Sequence, residues 1–326
     1  MPPSVAYRPS LPRHLAPRKH FIYDLAMRLG RVGAWQGGYG APADHDRAMI
    51  AELEELGYAA LWFGEAPGGK EAFSRAATLL AASSTIVVAT GIASIWGRDP
   101  LTTSAAVRTV GEAFPGRFVA GLGVSHPPAV EARGFVYQRP LAAMRDYLAE
   151  MAAIHHQSPN PAEAPPVVLA ALRPKMLGLA AAGADGAHPY FVPVEHTARA
   201  REILGPGKLL APELAVVLEP DATEARRLAR LHTSSFYLQA PNYVENLRWL
   251  GFGDDDLRGG GSDALVDAVV AWGDEDAIVA RIREHLDAGA DHVCLQPVTE
   301  IRPLLDGPDL AALDILRRLA PAVRDL

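Results

Sequence analysis

Short apolar segments alternate with amphipathic segments along the chain from about residue 30 to its end. The apolar segments are rich in Val, Ala, Leu and Trp, as is typical of strands buried in a parallel sheet. The amphipathic segments carry apolar residues at helical spacing, as in the helix of Met49, Ile50 and Leu53 that Asp44 can cap. We predict strands over residues 31–35, 61–64, 85–94, 117–124, 166–172, 187–192, 214–219 and 292–296. We predict helices over residues 44–56, 73–83, 141–154, 174–182, 195–204, 222–249, 274–286 and 308–320, and one beginning at Pro100.

Three of the predicted helix-to-strand junctions share one form, in which glycine ends the helix just before an apolar strand. Gly57, Gly183 and Gly289 occupy these positions, and such short links recur in parallel sheets. Eight βα units in a chain of this length fit a closed (β/α)8 TIM barrel of the α/β class. Alternation alone leaves an open doubly wound sheet as an alternative. The extra length over residues 222–272 indicates an insertion between strands seven and eight, near the barrel mouth.

Composition and charge narrow the range of partners. The 326 residues carry 31 Lys and Arg against 38 Asp and Glu, a net charge of −7, whereas nucleic-acid-binding proteins are usually basic. No apolar run approaches the roughly 18 residues of a membrane-spanning helix. Cys294 is the single cysteine, which excludes an internal disulfide and fits a reducing cytoplasm. We therefore expect a cytoplasmic protein with a small-molecule substrate and no nucleic-acid or membrane partner, and the sequence leaves a homodimer open.

The first 29 residues differ from the remainder of the chain. They contain five basic residues against the single acid Asp24, together with five prolines. No apolar stretch of the roughly 7–15 residues that a signal peptide needs precedes Phe21. We predict a flexible basic arm over residues 1–29 and a barrel domain over residues 30–326.

Motifs of several common enzyme classes are missing. Residues 121–126 lack the third glycine of a dinucleotide-binding turn, and residues 37–40 lack the lysine of a phosphate-binding loop. Strand one ends without His-x-His, and we expect no metal. Polar residues do stand at the predicted carboxyl ends of the strands, where barrel enzymes build their sites: Glu65, Ser94, Ser125, His126, Arg173 and Lys175. This set suits a flat, phosphate-bearing organic cofactor better than a metal.

The helix after strand five begins at residues 173–176. A helix start offers unpaired backbone N–H groups and a partial positive charge, and Pro174 fits the first helical position. Arg173 adds a guanidinium suited to phosphate oxygens, and Lys175 adds a second cation. We predict that a cofactor phosphate binds here. The alternative is that both side chains are merely solvated.

The order and spacing of four segments resemble the bacterial luciferase-like flavin and deazaflavin oxidoreductases. These segments are Gly64-Glu65-Ala66 and residues 90–94, 121–125 and 183–187. Residues 272–276 and 291–296 are similar to the actinobacterial branch that depends on coenzyme F420. The resemblance covers the chain from about residue 30 and implies a (β/α)8 barrel that binds F420, or alternatively FMN, at its carboxyl end. The expected cofactor contacts are Gly91, Ile92, Ala93, Ser94, Gly123, Val124, Ser125, Ala171, Leu172, Arg173 and Lys175.

The resemblance also implies a cis peptide bond at Gly91–Ile92, in a bulge of strand three that supports the cofactor ring. Glu65 and His126 match functional positions in a relative that acts on glucose 6-phosphate, while Ala66 replaces a histidine of that relative. We expect Glu65 or His126 to be the catalytic acid or base. The alternatives are that Glu65 pairs with a cation such as Lys70 and that His126 only braces a loop.

Aromatic residues near the strand ends complete the predicted site. Trp35, Trp96, Tyr237 and Tyr243 are expected to form the substrate pocket, although packing would explain them equally well. The resulting hypothesis is an F420-dependent oxidoreductase that transfers a hydride between the deazaflavin and a small organic substrate. An FMN-dependent monooxygenase and a barrel that binds a flavin or metabolite without turnover are the alternatives.

Overall fold

Parallel strands form the centre of the structure, a computed structural model that describes residues 28–37, 40–300 and 309–326. The strands are β1 Val32–Gln36, β2 Ala60–Phe63, β3 Val87–Thr90, β4 Ala93–Ser94, β5 Phe118–Gly123, β6 Val167–Leu169, β7 Gly186–Ala187, β8 Leu209–Leu210, β9 Glu213–Val217, β10 Val270–Trp272 and β11 Val293–Pro297. Neighbours pair in the order β1, β2, β3, β5, β6, β7 and β8, and β1 also pairs with β11. All these pairings are parallel, so the carboxyl ends of the strands meet at one end of the sheet.

The sheet closes through the seventh barrel strand, which is interrupted at Ala211 and Pro212. Its first part, β8, pairs with β7, and its second part, β9, pairs with β11. The interruption keeps the ladder intact, because the Ala211 N–H donates to the Ala187 carbonyl and the Pro212 carbonyl accepts from the Cys294 N–H. The predicted (β/α)8 barrel is therefore confirmed.

Helices pack against the outer face of the sheet. Their bounds are α1 Ala43–Glu55, α2 Ala72–Ala81, α3 Pro100–Ala113, α4 Pro127–Glu131, α5 Pro140–Ala153, α6 Pro174–Gly183, α7 Val194–Leu204, α8 Ala222–Ser235, α9 Pro241–Leu250, α10 Asp263–Val269, α11 Glu275–Asp287 and α12 Leu310–Val323. Helix α3 begins as its sequence predicts, since the Asp99 carboxylate accepts from the Thr102 N–H at 2.8 Å and Pro100 takes the first helical position. Within the described ranges, no helix has the length and apolar character needed to cross a membrane.

Several element boundaries differ from the prediction. Strand six ends early, at Ala187, because Pro189 has no N–H to continue the ladder. Strand three is split into β3 and β4 at the Gly91–Ile92 bond, which is cis, as the resemblance implied. Pro321 lies inside α12 rather than beyond its end, and the predicted helix start at Pro308 lies outside the described residues.

The chain between β9 and β11 contains elements that the sequence analysis merged or missed. The segment predicted as one or two helices forms α8 and α9, joined by a short 3-10 helix at Tyr237–Gln239. Helix α10 and strand β10 follow, and β10 pairs with β9 beside the barrel. This α8–α9 segment borders the carboxyl ends of the barrel strands and forms one side of the site.

Two apolar layers hold the barrel together. The larger lies between the sheet and the helices, and the smaller fills the barrel interior with side chains such as Trp62, Val119 and Val168. Cys294 is fully buried in the interior, as predicted. Leu29, which the prediction assigned to the basic arm, is also buried there, whereas residues 1–27 of that arm lie outside the described ranges.

Candidate active site

A cleft of about 1370 Å³ opens at the carboxyl ends of the barrel strands. Its floor and walls come from residues that follow β1, β2, β3, β5, β6, β7 and β11, and the α8–α9 segment forms one side. The predicted residues that line it are Trp35, Glu65, Gly91, Ile92, Val124, Ser125, His126, Leu172, Arg173, Lys175, Tyr237 and Tyr243. Most of the residues chosen from the strand ends therefore meet in one cleft.

Five predicted site residues do not line the cleft: Ala93, Ser94, Trp96, Gly123 and Ala171. Neighbouring residues of an extended segment point to opposite sides, so Ala170 faces the cleft while Ala171 is buried behind it. The Trp96 indole donates to the Val124 carbonyl at 3.0 Å, and its ring packs against Phe135. Contrary to the prediction, Trp96 therefore stays outside the substrate pocket.

Glycine allows close packing behind the cleft wall where strand three and β5 meet. A Cβ at Gly123 would lie 2.5 Å from Ile92 Cδ1, and a Cβ at Gly91 would lie 2.7 Å from His188 Nε2. At Gly121 the Cβ would come 1.8 Å from the Thr90 carbonyl oxygen. These approaches are shorter than van der Waals contact, so the wall depends on glycine. Glycine lets Ile92, His188 and the Thr90 carbonyl pack directly against the backbone at these positions. Gly91 and Ile92 themselves line the cleft.

Glu65 is an ion-pair partner at the end of β2. Its carboxylate accepts two hydrogen bonds from Arg98, at 2.7 and 3.1 Å, and a third from the Ser94 N–H at 2.8 Å. Its side chain is only 4% exposed. The alternative considered from sequence named Lys70 as the partner, but Lys70 binds Asp46 instead, at 2.6 Å. The Glu65 carboxylate is thus saturated with donors from one side of the cleft wall.

His126 follows β5 and occupies the N-cap position of α4. Its ring lies edge-to-face against Phe236, with centroids 4.8 Å apart, and 5.5 Å from the ring of Tyr243. Burial lowers the pKa of His126 below its usual 6.5, while a hydrogen bond with Asn242 works in the opposite direction. The imidazole is therefore neutral at pH 7 and able to accept a proton.

The start of α6 forms the cationic rim of the cleft. Arg173 is the N-cap residue, Pro174 takes the first helical position, and the N-cap side chain makes no capping hydrogen bond. Both Arg173 and Lys175 are exposed and line the cleft. Among the described residues, neither cation forms an ion pair, so both charges face the cleft rim together with the helix N-terminus.

The sequence analysis missed the polar floor of the cleft, where His188 follows β7. The Ala211 carbonyl can only accept, so His188 Nδ1 donates to it, at 2.7 Å, and Nε2 is left as the acceptor. His188 Nε2 has no hydrogen-bond partner among the described residues. Burial lowers the pKa of His188 to about 4, which keeps it neutral, and its ring stacks on Trp62 at 4.4 Å.

The sequence analysis also missed Tyr190 and Gln296. The Tyr190 hydroxyl lies 2.8 Å from the Tyr237 hydroxyl and donates to Gln296 Oε1. These two hydrogen bonds connect the segment after β7 and the strand β11 with the 3-10 helix of the α8–α9 segment. The strand-end rule, applied above only as far as strand five, would have identified Gln296 at the predicted end of strand eight. His188 and Tyr190 lie inside the segment predicted as strand six, so the rule could not single them out.

Comparison with known proteins assigns the chain to a family. A family model described as luciferase-like monooxygenase matches residues 26–292. The chain belongs to the luciferase-like monooxygenase family. A family relative, 5,10-methylenetetrahydromethanopterin reductase of Methanolobus tindarius, is 24% identical over 287 residues, covering 76% of this chain and 88% of the relative.

Two solved structures with the fold of this luciferase-like protein differ in the cofactor they are named for. The coenzyme F420-dependent tetrahydromethanopterin reductase from Methanopyrus kandleri superposes with a TM-score of 0.69 at 17% identity, covering 90% of this chain and 99% of that one. The oxygenating component of 3,6-diketocamphane monooxygenase from Pseudomonas putida, in complex with FMN, gives a TM-score of 0.64 at 15% identity, with 90% and 98% coverage. These likenesses concern the fold.

The residues of this luciferase-like cleft fit a flat cofactor with a phosphate. Gly91 and Ile92 line the wall at the end of strand three, and the α6 N-terminus with Arg173 and Lys175 supplies donors and charge for an anion. Among the described residues, no group of three or more His, Cys, Asp or Glu side chains is placed to hold a metal ion.

Proposed function

We propose that the protein is a coenzyme F420-dependent oxidoreductase that transfers a hydride between the deazaflavin and a small organic substrate. The observation that carries the proposal is the combination, in one cleft, of the Gly91–Ile92 wall at the end of strand three and a cationic helix start at Arg173. The relative found by sequence is a methylenetetrahydromethanopterin reductase, and a solved reductase that acts on tetrahydromethanopterin is named as F420-dependent. These names favour F420 over FMN.

When bound, the deazaflavin supplies a site that accepts or donates a hydride. Gly91 and Ile92 would support its ring from β3 and β4, and Val124 and Ser125 would border it from the end of β5. Arg173 and Lys175, with the backbone N–H groups at the start of α6, would hold its phosphate. The same residues would serve FMN, because both cofactors combine a flat ring with a phosphate.

His126 is the proposed proton carrier. In the direction of alcohol oxidation, its neutral imidazole takes the hydroxyl proton as the C–H hydride leaves and the C=O bond forms; in reduction it returns that proton to the new oxygen. Its lowered pKa supports the basic role at neutral pH. Asn242 holds the ring, and Phe236 and Tyr243 limit the water around it.

Glu65 is proposed to position the site rather than to carry the proton. Its carboxylate holds the Ser94 N–H at the bulge of strand three and pairs with Arg98 in two hydrogen bonds. A second cation, Arg133, lies 3.5 Å from the same carboxylate. A carboxylate surrounded in this way has few free lone pairs for a substrate proton.

A second candidate function is an FMN-dependent monooxygenase, favoured by the FMN complex of the diketocamphane enzyme, which covers 90% of this chain. Turnover separates the two. The protein is incubated with F420 and a panel of alcohols while the deazaflavin absorbance is followed, and in parallel with reduced FMN in an oxygen electrode. We expect bleaching of the deazaflavin with at least one alcohol and no enzymatic oxygen uptake. Oxygen uptake with substrate oxygenation, without deazaflavin turnover, would establish the monooxygenase instead.

A further inference from the structure

The cleft has one aromatic side. We define the aromatic wall as His126, Tyr190, Phe236, Tyr237 and Tyr243, all of which line the cleft. Neighbouring rings of this wall have centroids between 4.8 and 6.4 Å apart, for example 5.2 Å between Tyr237 and Tyr243. They meet at edge-to-face and tilted angles, the arrangements that aromatic rings prefer. The wall is therefore a continuous surface of π faces and edges.

The aromatic wall is held in place from behind. Phe191 is buried and stacks on Tyr237 with centroids 4.6 Å apart and an interplanar angle of 16°. The Tyr190 hydroxyl bonds both the Tyr237 hydroxyl and Gln296, which joins the α8–α9 segment to the barrel. A surface fixed in this way loses little side-chain entropy when a ligand binds.

The charges near the aromatic wall are already paired. Arg248 also lines the cleft, but it binds Glu245 and Asp254, each at 2.8 Å. The two other cations that line the cleft, Arg173 and Lys175, form no ion pair among the described residues and stand at the start of α6, the proposed phosphate site. The wall itself offers the imidazole of His126 as its titratable base, and burial lowers the pKa of that group. An anionic ligand therefore finds no counter-ion on this wall.

The volume of the cleft allows a bulky ligand. A typical small-molecule pocket measures about 300–1,000 Å³. At about 1370 Å³, the cleft has room for a second ring system beside a cofactor ring.

We propose that the substrate is a neutral aromatic compound that packs against the aromatic wall and directs a hydroxyl or carbonyl group to His126. This inference names the substrate class of the proposed oxidoreductase and rests on that function for its chemistry. The binding preference itself follows from the wall. The binding preference is measured in the cofactor-free protein, so a failure of this inference can be distinguished from a failure of the F420 assignment.

The test uses three probes of similar size: 2-naphthol, its saturated counterpart trans-2-decalol, and the anion 2-naphthoate. Their binding to the full-length protein is measured by calorimetry. Several aromatic contacts add attraction beyond the area buried, so 2-naphthol should bind at least about tenfold more tightly than trans-2-decalol. It should also bind more tightly than 2-naphthoate. Equal or tighter binding of the decalol, or tightest binding of the anion, would overturn the inference.

Variants connect the preference to the wall. Tyr243→Leu should weaken 2-naphthol binding about three- to tenfold and change trans-2-decalol binding less than about twofold. Tyr243→Phe should keep the preference, because it keeps the ring. Phe135→Leu, which removes an exposed ring outside the cleft, is the matched control and should leave both affinities unchanged. If Tyr243→Leu fails to fold, the probe affinities of the wild type and of Tyr243→Phe still test the aromatic preference. Loss of the preference in the Phe135 variant would contradict the assignment to the wall.

Discussion

The Arg98 guanidinium binds the Glu65 carboxylate through two hydrogen bonds, Nη2 to Oε1 at 2.7 Å and Nη1 to Oε2 at 3.1 Å. The two side chains are 9% and 4% exposed, so the pair is sheltered from solvent. The same carboxylate accepts from the Ser94 N–H, which ties the end of β2 to the bulge of strand three. Glu65 thus stabilises the cleft wall and also fixes the position of β4 relative to the end of β2.

Replacing Glu65 should therefore affect stability more than proton transfer. Arg98 also pairs with Glu71, so Glu65→Gln removes the more buried of its two carboxylates and should lower the free energy of unfolding by about 1–3 kcal/mol. Turnover per folded molecule should fall less than about tenfold, well short of the roughly 10²–10⁴-fold loss expected for a general acid or base. Urea unfolding and steady-state kinetics measure the two effects.

Glu275→Gln is the matched control for this variant. Glu275 pairs with Arg318, but those two side chains are 36% and 53% exposed. Its loss should cost less than about 1 kcal/mol. A Glu65→Gln variant of unchanged stability whose turnover falls a thousandfold would assign the proton transfer to Glu65.

His126 should set the acid limb of the pH–rate profile for alcohol oxidation. A base works in its neutral form, so kcat/KM falls as the pH drops through the pKa of His126, which burial places below 6.5. His126→Gln should lower turnover by roughly 10²–10⁴-fold and remove the limb. The hydrogen bond of Asn242 raises the pKa of His126, so Asn242→Leu should move the limb to lower pH. An unmoved limb in both variants would show that another group titrates.

Arg173 should matter for the cofactor phosphate and not for the ring. Charge-assisted hydrogen bonds contribute roughly 1.5–3 kcal/mol, so Arg173→Ala should weaken FMN or F420 binding about ten- to hundredfold. Riboflavin, which lacks the phosphate, should bind both proteins alike. Arg145→Ala removes the same charge from an exposed position outside the cleft and should change neither affinity. An equal loss for FMN and riboflavin would mean that Arg173 shapes the cleft instead.

Glu213 should make the protein less stable as the pH rises toward 8. Burial raises the pKa of this carboxyl to about 8, against the opposing hydrogen bond from the Phe191 N–H. Its contribution to stability is complete below the unfolded pKa near 4.5 and is lost as the pH rises through about 8.

The change is clearest between pH 6.5 and 8, where the Glu213 contribution should fall by about 1–2 kcal/mol. Glu213→Gln keeps an acceptor for the Phe191 N–H and should remove that fall, so the difference in unfolding free energy between variant and wild type should grow with pH. Glu112→Gln, at an exposed helical position, is the control and should show a constant difference. A constant difference for Glu213→Gln as well would show that this carboxyl is ionised in the native protein.

The fold could be predicted because its signal is local. The helices at Pro100 and Pro174 begin at the expected prolines, and Gly57 ends a helix in the left-handed conformation, with φ of +90°. Strand six could not be bounded in the same way: its apolar pattern continues to Val192, but the ladder ends earlier, at Pro189. An apolar pattern indicates that residues are buried, but buried residues need not pair with a neighbouring strand.

The candidate site was only partly predictable, because its contacts join distant segments. The partner of Glu65 is Arg98, 33 positions along the chain, and no spacing rule separates it from Lys70. Tyr190 and Gln296 are 106 positions apart. Strand-end position identified His126 and Arg173, but it could not show that Trp96 turns away to bind the Val124 carbonyl.

Cofactor identity is the central claim, and a direct titration tests it. The purified protein is titrated separately with oxidised F420 and with FMN while the fluorescence of each ligand is followed. We expect F420 to bind with micromolar or tighter affinity and FMN at least about tenfold more weakly, a difference of about 1.4 kcal/mol. Tighter binding of FMN than of F420 would contradict the account and favour the flavin monooxygenase.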